Sequence, residues 1–124
     1  MTQHIKILDG GMGRELARVG APFRQPEWSA LALYEAPERV REVHDSYIAA
    51  GAGTITTNSY AVVPFHIGDE RFAADAQRLA TLAGQLARQA ADAAVHPVQV
   101  AGSLPPALGS YRPALFNAPR ALEI

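Results

Sequence analysis

The 124-residue sequence contains no cysteine. That excludes a disulfide framework, a thiol nucleophile within the chain and any zinc site built on its own thiolates. Charge of either sign is not in excess, with 11 Lys and Arg against 12 Asp and Glu and a formal net charge of −1. Nucleic acid and anionic membranes therefore find no electrostatic hold, and neither is expected as a partner. No unbroken apolar run approaches the roughly 18 residues of a membrane span. The N-terminus, MTQHIKILDGG, offers only a short apolar burst before acid and glycine. A secretory signal needs a longer apolar core and a small-residue cleavage site, so a cytoplasmic location is expected. Internal repeats are missing, and so is low-complexity sequence outside one alanine-rich helix.

What remains is an ordinary globular composition, 48% apolar, in a length that suits one domain burying about two-thirds of its unfolded surface. Ile5–Leu8 is a short apolar run halted by Asp9-Gly10-Gly11 and reads as a buried strand. Gly13–Val19 suits two helical turns stopped by Gly20, and the proline-bearing stretch from Ala21 to Pro26 suits a loop. Ser29 is placed to cap a short helix over Ala30–Glu35. Pro37 then suits the first position of a longer helix, in which Val40, Val43, Tyr47 and Ile48 make one apolar stripe and Gly51 is the stop.

Thr54–Tyr60, rich in β-branched residues, reads as a second strand, and Ala61–Gly68 as a loop. Asp69 is placed to cap a long helix from Glu70 to about Ala94, with Leu79, Leu82, Leu86 and Ala90 inward. Arg71 with Asp75, and Arg88 with Asp92, are spaced as i,i+4 pairs on its wet face. Pro97–Ala101 reads as a third strand, followed by a loop to about Asn117 and one helical turn over Ala118–Ile124. This alternation predicts an α/β fold, a parallel βαβαβ segment. Three such strands leave two open edges and faces that two helices cover only in part. The chain reads as unfinished, ending where another crossover helix is expected to begin.

In parallel α/β folds ligands gather at the carboxyl ends of the strands. Here those ends are Asp9-Gly10-Gly11, Asn58-Ser59-Tyr60 and Gly102-Ser103. Asp9 can hold a ligand ammonium, Gly10 and Gly11 let a ligand approach the backbone, and nearby amides can receive a carboxylate. Equally, Asp9 can cap the following helix while the glycines make a tight turn. Asn58 and Tyr60 can serve a ligand or satisfy local backbone. DGGMG matches neither GxGxxG nor GxxxxGK[ST], so no nucleotide is inferred. Ser103 has no histidine at readable spacing, which argues against a nucleophilic serine. His4, His44, His66 and His96 show no metal-ligand spacing. His44 lies beside an apolar stripe, His66 in a loop on the ligand-facing side, and Trp28 reads as a packing anchor.

Taken together, ILDGGMGREL, WSALALYEAPERVREVHDSYIAAGA, TITTNSY and VAGSLPPALGSYRP resemble, in order, the N-terminal part of homocysteine S-methyltransferases. The resemblance implies the first three strands of an incomplete (β/α)8 TIM barrel, truncated after the third strand, spanning residues 1–124. It implies methyl transfer from an onium donor, such as S-methylmethionine or S-adenosylmethionine, to the zinc-bound thiolate of homocysteine, giving methionine. Asp9, Gly10 and Gly11 fall where the family receives the amino-acid end of homocysteine, and Asn58 near its metal pocket. Arg14 departs from the small polar residue more often expected there. The larger departure is zinc, which the family holds on cysteines of later strands. A barrel of this kind needs about 250 residues, so catalytic residues, metal ligands and bound zinc are not expected in this chain, which should be inactive alone. A complementary barrel fragment would be its natural partner. The competing expectation is a small non-catalytic amino-acid-binding or protein-interaction domain.

Overall fold

The computed structural model describes residues 4–124. The first three residues, part of the N-terminal stretch read for a targeting signal, lie outside the described residues. Helices α1 (Met12–Arg18), α2 (Ala30–Glu35) and α3 (Pro37–Ala49) precede strand β1 (Thr54–Thr56). Then come α4 (Pro64–Ile67), α5 (Asp69–Asp92), strand β2 (Gln99–Ala101), a 3-10 turn at Pro113–Leu115 and α6 (Ala118–Ala121). β1 and β2 pair in parallel with Ile55 opposite Val100, and Leu8 makes an isolated parallel bridge to Thr54. The parallel order in space is therefore Leu8, β1, β2, the order of the chain. Among the described residues no helix is long and apolar enough to cross a membrane.

The helices follow the sequence pattern closely. Pro37 opens α3, where its missing N–H is no loss. Val40, Val43 and Ile48 are buried along one stripe, and Gly51 ends the helix at φ 105°, a left-handed conformation that costs glycine little. Asp69 and Glu70 lie in the first turn of α5, where they favour the helix dipole. Leu79, Ala83, Leu86 and Ala90 face inward, the alanines letting α5 pack closely on α3 and the strands. One core cluster joins α1, α2, α3 and α5 around Leu16, Leu33, Val40 and Leu79. A second joins α3, α5 and the sheet around Ile48, Ile55, Ala87 and Val98, and Tyr47 packs against both.

Several expectations are corrected. The buried strand Ile5–Leu8 is reduced to one bridge, held by Gly53 N–H to Ile7 O (2.8 Å) and Asp9 N–H to Thr54 O (3.0 Å). Among the described residues it has a strand neighbour on one side only, and Ile5, Ile7 and Leu8 stay 89%, 57% and 62% exposed. The second strand stops at Thr56 rather than Tyr60: Thr57 N–H still donates to Ala101 O (2.9 Å), but Ser103 is then bonded by the side chains of Thr57 and Ser59 and not by the backbone. Ser29 caps nothing with its hydroxyl, being already helical at φ −68°, ψ −19°. Asp69 is the first residue of α5 and Gly68 its cap. The loop expected at 61–68 contains α4, started by Pro64. Arg88 pairs with Asp92 at 2.8 Å, but Arg71 turns to Glu27 at 3.5 Å, while Asp75 accepts from the Tyr34 hydroxyl at 2.8 Å and from Arg78.

Candidate functional site

The carboxyl ends of the three parallel segments are tied to one another by side chains. Asp9 Oδ2 accepts from Thr56 N–H (2.8 Å) and from Thr56 Oγ1 (3.1 Å), so the end of the first segment is clipped to the end of β1. Its other oxygen, Oδ1, has only a 3.4 Å contact to the same hydroxyl and retains acceptor capacity. Asp9 does not cap α1, whose cap is Gly11 without a side-chain bond.

Between β1 and β2 the bonding direction can be worked out completely. Ser59 Oγ donates to Ser103 O (2.8 Å) and Ser103 N–H donates to Thr57 Oγ1 (3.0 Å). Ser59 has spent its proton, so Thr57 donates to Ser59 Oγ across 2.8 Å. The result is a closed ring of hydrogen bonds joining the two strand ends, with every hydroxyl proton assigned.

Gly10 and Gly11 differ in what surrounds them. A Cβ on Gly10 would lie 2.8 Å from the Tyr47 hydroxyl oxygen and 3.1 Å from its ring, whereas a Cβ on Gly11 would meet nothing within 4 Å. Tyr47 donates its hydroxyl to Gly11 O at 3.2 Å. Asn58 is buried, donating from Nδ2 to Ser29 O at 3.0 Å, and its Oδ1 has no partner among the described residues. A buried amide oxygen without a donor costs stability unless something fills the vacancy in its bonding. The chain thus brings Asp9 and Asn58 to the same end of β1, two residues beyond Thr56 in the latter case, with Gly10 and Gly11 following Asp9.

A second cluster joins the loops that follow the strand ends. His66 on α4 is 3% exposed, with Nδ1 2.8 Å from Pro26 O and Nε2 2.6 Å from Ser110 Oγ. A carbonyl only accepts, so Nδ1 donates to Pro26 O, and Nε2 shares a hydrogen bond with the Ser110 hydroxyl. The rings of Trp28 and Phe65 lie 5.1 Å away. Trp28 has φ 48°, a left-handed conformation that is strained for a bulky residue and is held here by a 2.7 Å bond from its N–H to Arg24 O. His66 is therefore a clamp rather than an open ligand. Its spacing from Ser110 gave no signal, because 44 residues separate them.

Behind the Asp9 turn, His44 on α3 is fully buried and neither ring nitrogen has a partner among the described residues. Burial lowers its pKa from the ordinary value of 6.5, only partly offset by the charges of Asp9 and Asp45, so the ring is neutral at pH 7. Burial likewise raises the Tyr47 phenol, which stays a protonated donor. A large apolar cavity, about 960 Å³, lies elsewhere, between Val62, Val63, Phe72 and the segment 104–124. None of Asp9, Gly10, Gly11 or Asn58 lines it, and hydrogen-bonding chemistry is concentrated at the strand ends, not there. Among the described residues no three His, Asp or Glu side chains converge as metal ligands. With no cysteine in the sequence, the residues of this chain do not by themselves fit a zinc ion.

Comparison with known proteins gives a consistent result. A family model described as homocysteine S-methyltransferase matches residues 6–120. Homocysteine S-methyltransferase 3 of Zea mays is 34% identical over 117 residues, covering 85% of this chain and 33% of that protein. Homocysteine S-methyltransferase YbgG of Bacillus subtilis is 38% identical over 97 residues, covering 73% of this chain and 29% of that protein. The crystal structure of the homocysteine methyltransferase MmuM from Escherichia coli, in its metallated form, superposes with a TM-score of 0.70 at 36% identity. It covers 84% of this chain and 38% of MmuM. The chain spans about a third of the length of these relatives.

Proposed function

The chain belongs to the homocysteine S-methyltransferase family, and from that premise we propose that residues 1–124 form the substrate-receiving first part of such a methyltransferase. In this reading Leu8, β1 and β2 mark the first three strands of a (β/α)8 barrel. Their parallel order in space supports it, since successive barrel strands neighbour one another. Asp9, Gly10 and Gly11 receive the amino-acid end of homocysteine, and Asn58 lines the substrate site beside the metal pocket of the complete domain. The observation that carries the reading is the state of Asp9, anchored to Thr56 through Oδ2 while Oδ1 keeps acceptor capacity for an ammonium group.

In the complete, cytoplasmic protein the methyl group comes from an onium donor, S-methylmethionine or S-adenosylmethionine, and the product is methionine. The family likeness brings zinc to that complete domain. This chain's residues do not fit the ion, so the chain alone binds homocysteine without methylating it. The exposed Ile5, Ile7 and Leu8 favour a companion reading. An apolar, one-sided strand edge suits a complementary barrel fragment, and it counts against a small self-contained amino-acid-binding or interaction domain, in which it would invite aggregation.

The test is titration calorimetry of the purified chain with L-homocysteine, followed by a methionine-formation assay with S-methylmethionine and zinc. Homocysteine binding that is lost in Asp9→Asn, with no methionine formed, is the expected result. An unmodified chain that ignores homocysteine removes the substrate site. Methionine made by the chain alone removes its proposed inactivity.

A further inference from the structure

The Gly10–Gly11 turn is held from behind by one side chain that the reading above does not use. Tyr47 projects from α3 against the turn, its ring 3.1 Å and its hydroxyl oxygen 2.8 Å from where a Gly10 Cβ would stand. The same hydroxyl donates to Gly11 O at 3.2 Å, and that carbonyl also accepts the first bond of α1, from Glu15 N–H at 3.3 Å. Both lone pairs of the Gly11 carbonyl are thus engaged, one by α1 and one by α3. A trans peptide is planar, so fixing its carbonyl fixes the whole Gly11–Met12 unit. Tyr47 itself cannot drift, because it is half-buried and packs against both core clusters. Glycine has the widest backbone freedom of any residue, and ordering it on binding would weaken affinity.

We propose that Tyr47 is a positioning residue for homocysteine. Its ring and hydroxyl lock the Gly10–Gly11 backbone in the bound conformation before the ligand arrives. The inference rests on the assignment of the Asp9–Gly11 turn as the homocysteine site. It goes further by naming the residue on α3 that sets affinity without touching the ligand.

The experiment is a titration of the isotope-labelled 124-residue chain with L-homocysteine, followed by amide NMR, on the unmodified chain, Tyr47→Phe, Gly10→Ala and Asp9→Asn. Tyr47→Phe keeps the ring and removes only the hydroxyl. It should weaken homocysteine binding by about fivefold, the worth of one ordinary hydrogen bond. Amide exchange at Gly11 and Met12 should quicken while Leu79 and Ala83 in the core stay protected, a pattern that a general loss of packing would not produce. Gly10→Ala, which must displace the tyrosine, should weaken binding at least as much. Asp9→Asn weakening binding while Tyr47→Phe leaves affinity and Gly11 exchange unchanged would overturn the role of Tyr47 and leave the site standing. No homocysteine response in the unmodified chain would overturn the site and this inference together.

Discussion

His44 and His66 are almost equally hidden, at 0% and 3% exposure, yet the two regions around them solve burial in opposite ways. His66, on the single-turn helix α4, faces loops and satisfies both ring nitrogens, through Pro26 O and Ser110 Oγ. His44 lies on α3 and satisfies neither. Loops bring unpaired backbone carbonyls with them, so a buried ring there gains partners and in return fixes the loops. A helix spends its carbonyls on itself, so a ring sunk into its inner face finds no acceptor and survives by staying neutral. The same residue type is thus a polar fastener in one region and an apolar filler in the other.

The most severe way to test that contrast is to remove the fastener. His66→Ala strands Pro26 O and Ser110 Oγ and opens a void beside Trp28. It should cost about 3 kcal/mol, read from the midpoint shift in urea unfolding. The Gly109 amide, bonded to Pro106 O, should lose exchange protection before the amides of α5. A loss below about 0.5 kcal/mol, within the usual range of a surface change, would mean that the two hydrogen bonds are incidental.

Ser110→Ala is a milder probe of the same region. It leaves Nε2 of His66 without its hydrogen-bond partner and should cost about 1.5 kcal/mol. Combined with His66→Ala, the two losses should fall short of their sum by about 1 kcal/mol, because both remove one shared bond. Strict additivity would separate the two residues energetically and dissolve the clamp.

The helical region was far more legible in the sequence than the loop region, for the same physical reason. Val40, Val43 and Ile48 repeat with the helix period, Pro37 and Gly51 bracket them, and α3 appears where the pattern places it. Periodicity reports which face is inward but not what a side chain there touches, so Tyr47 read as one more member of a stripe. The parallel order of strand ends was legible from the alternation of elements. The length of the strands was not, because Thr57 and Ser59 divert their neighbours into side-chain bonds, and because Leu8 has a partner on one side only. Asp9 was legible as a strand-end carboxylate, yet its partner Thr56 lies 47 residues on. The link between His66 and Ser110 spans 44. Contacts of that range carry no local signal.

The smallest and most discriminating prediction concerns His44. A buried ring whose nitrogens bond to nothing resists protonation, and its pKa in the fold lies below the ordinary 6.5, chiefly through burial. The unfolded chain takes up its proton near the ordinary value, the folded chain only at lower pH. Stability is therefore fully present above pH 6.5 and is lost as the pH falls from there through the lower folded value. Asp9 and Asp45 oppose the shift and Arg41 adds to it, but none of them supplies an acceptor for the ring. His44→Leu keeps a comparable volume and removes two unsatisfied atoms. At pH 8 it should change stability by less than about 1 kcal/mol, toward the more stable side. Below pH 6.5 its advantage over the unmodified chain should widen, since the substituted chain has no proton to exclude at this position. Urea midpoints of both chains measured from pH 8 to pH 5 decide it. Parallel curves would mean that His44 is not held neutral, and the contrast between a paired and an unpaired buried histidine would fail at its weaker member.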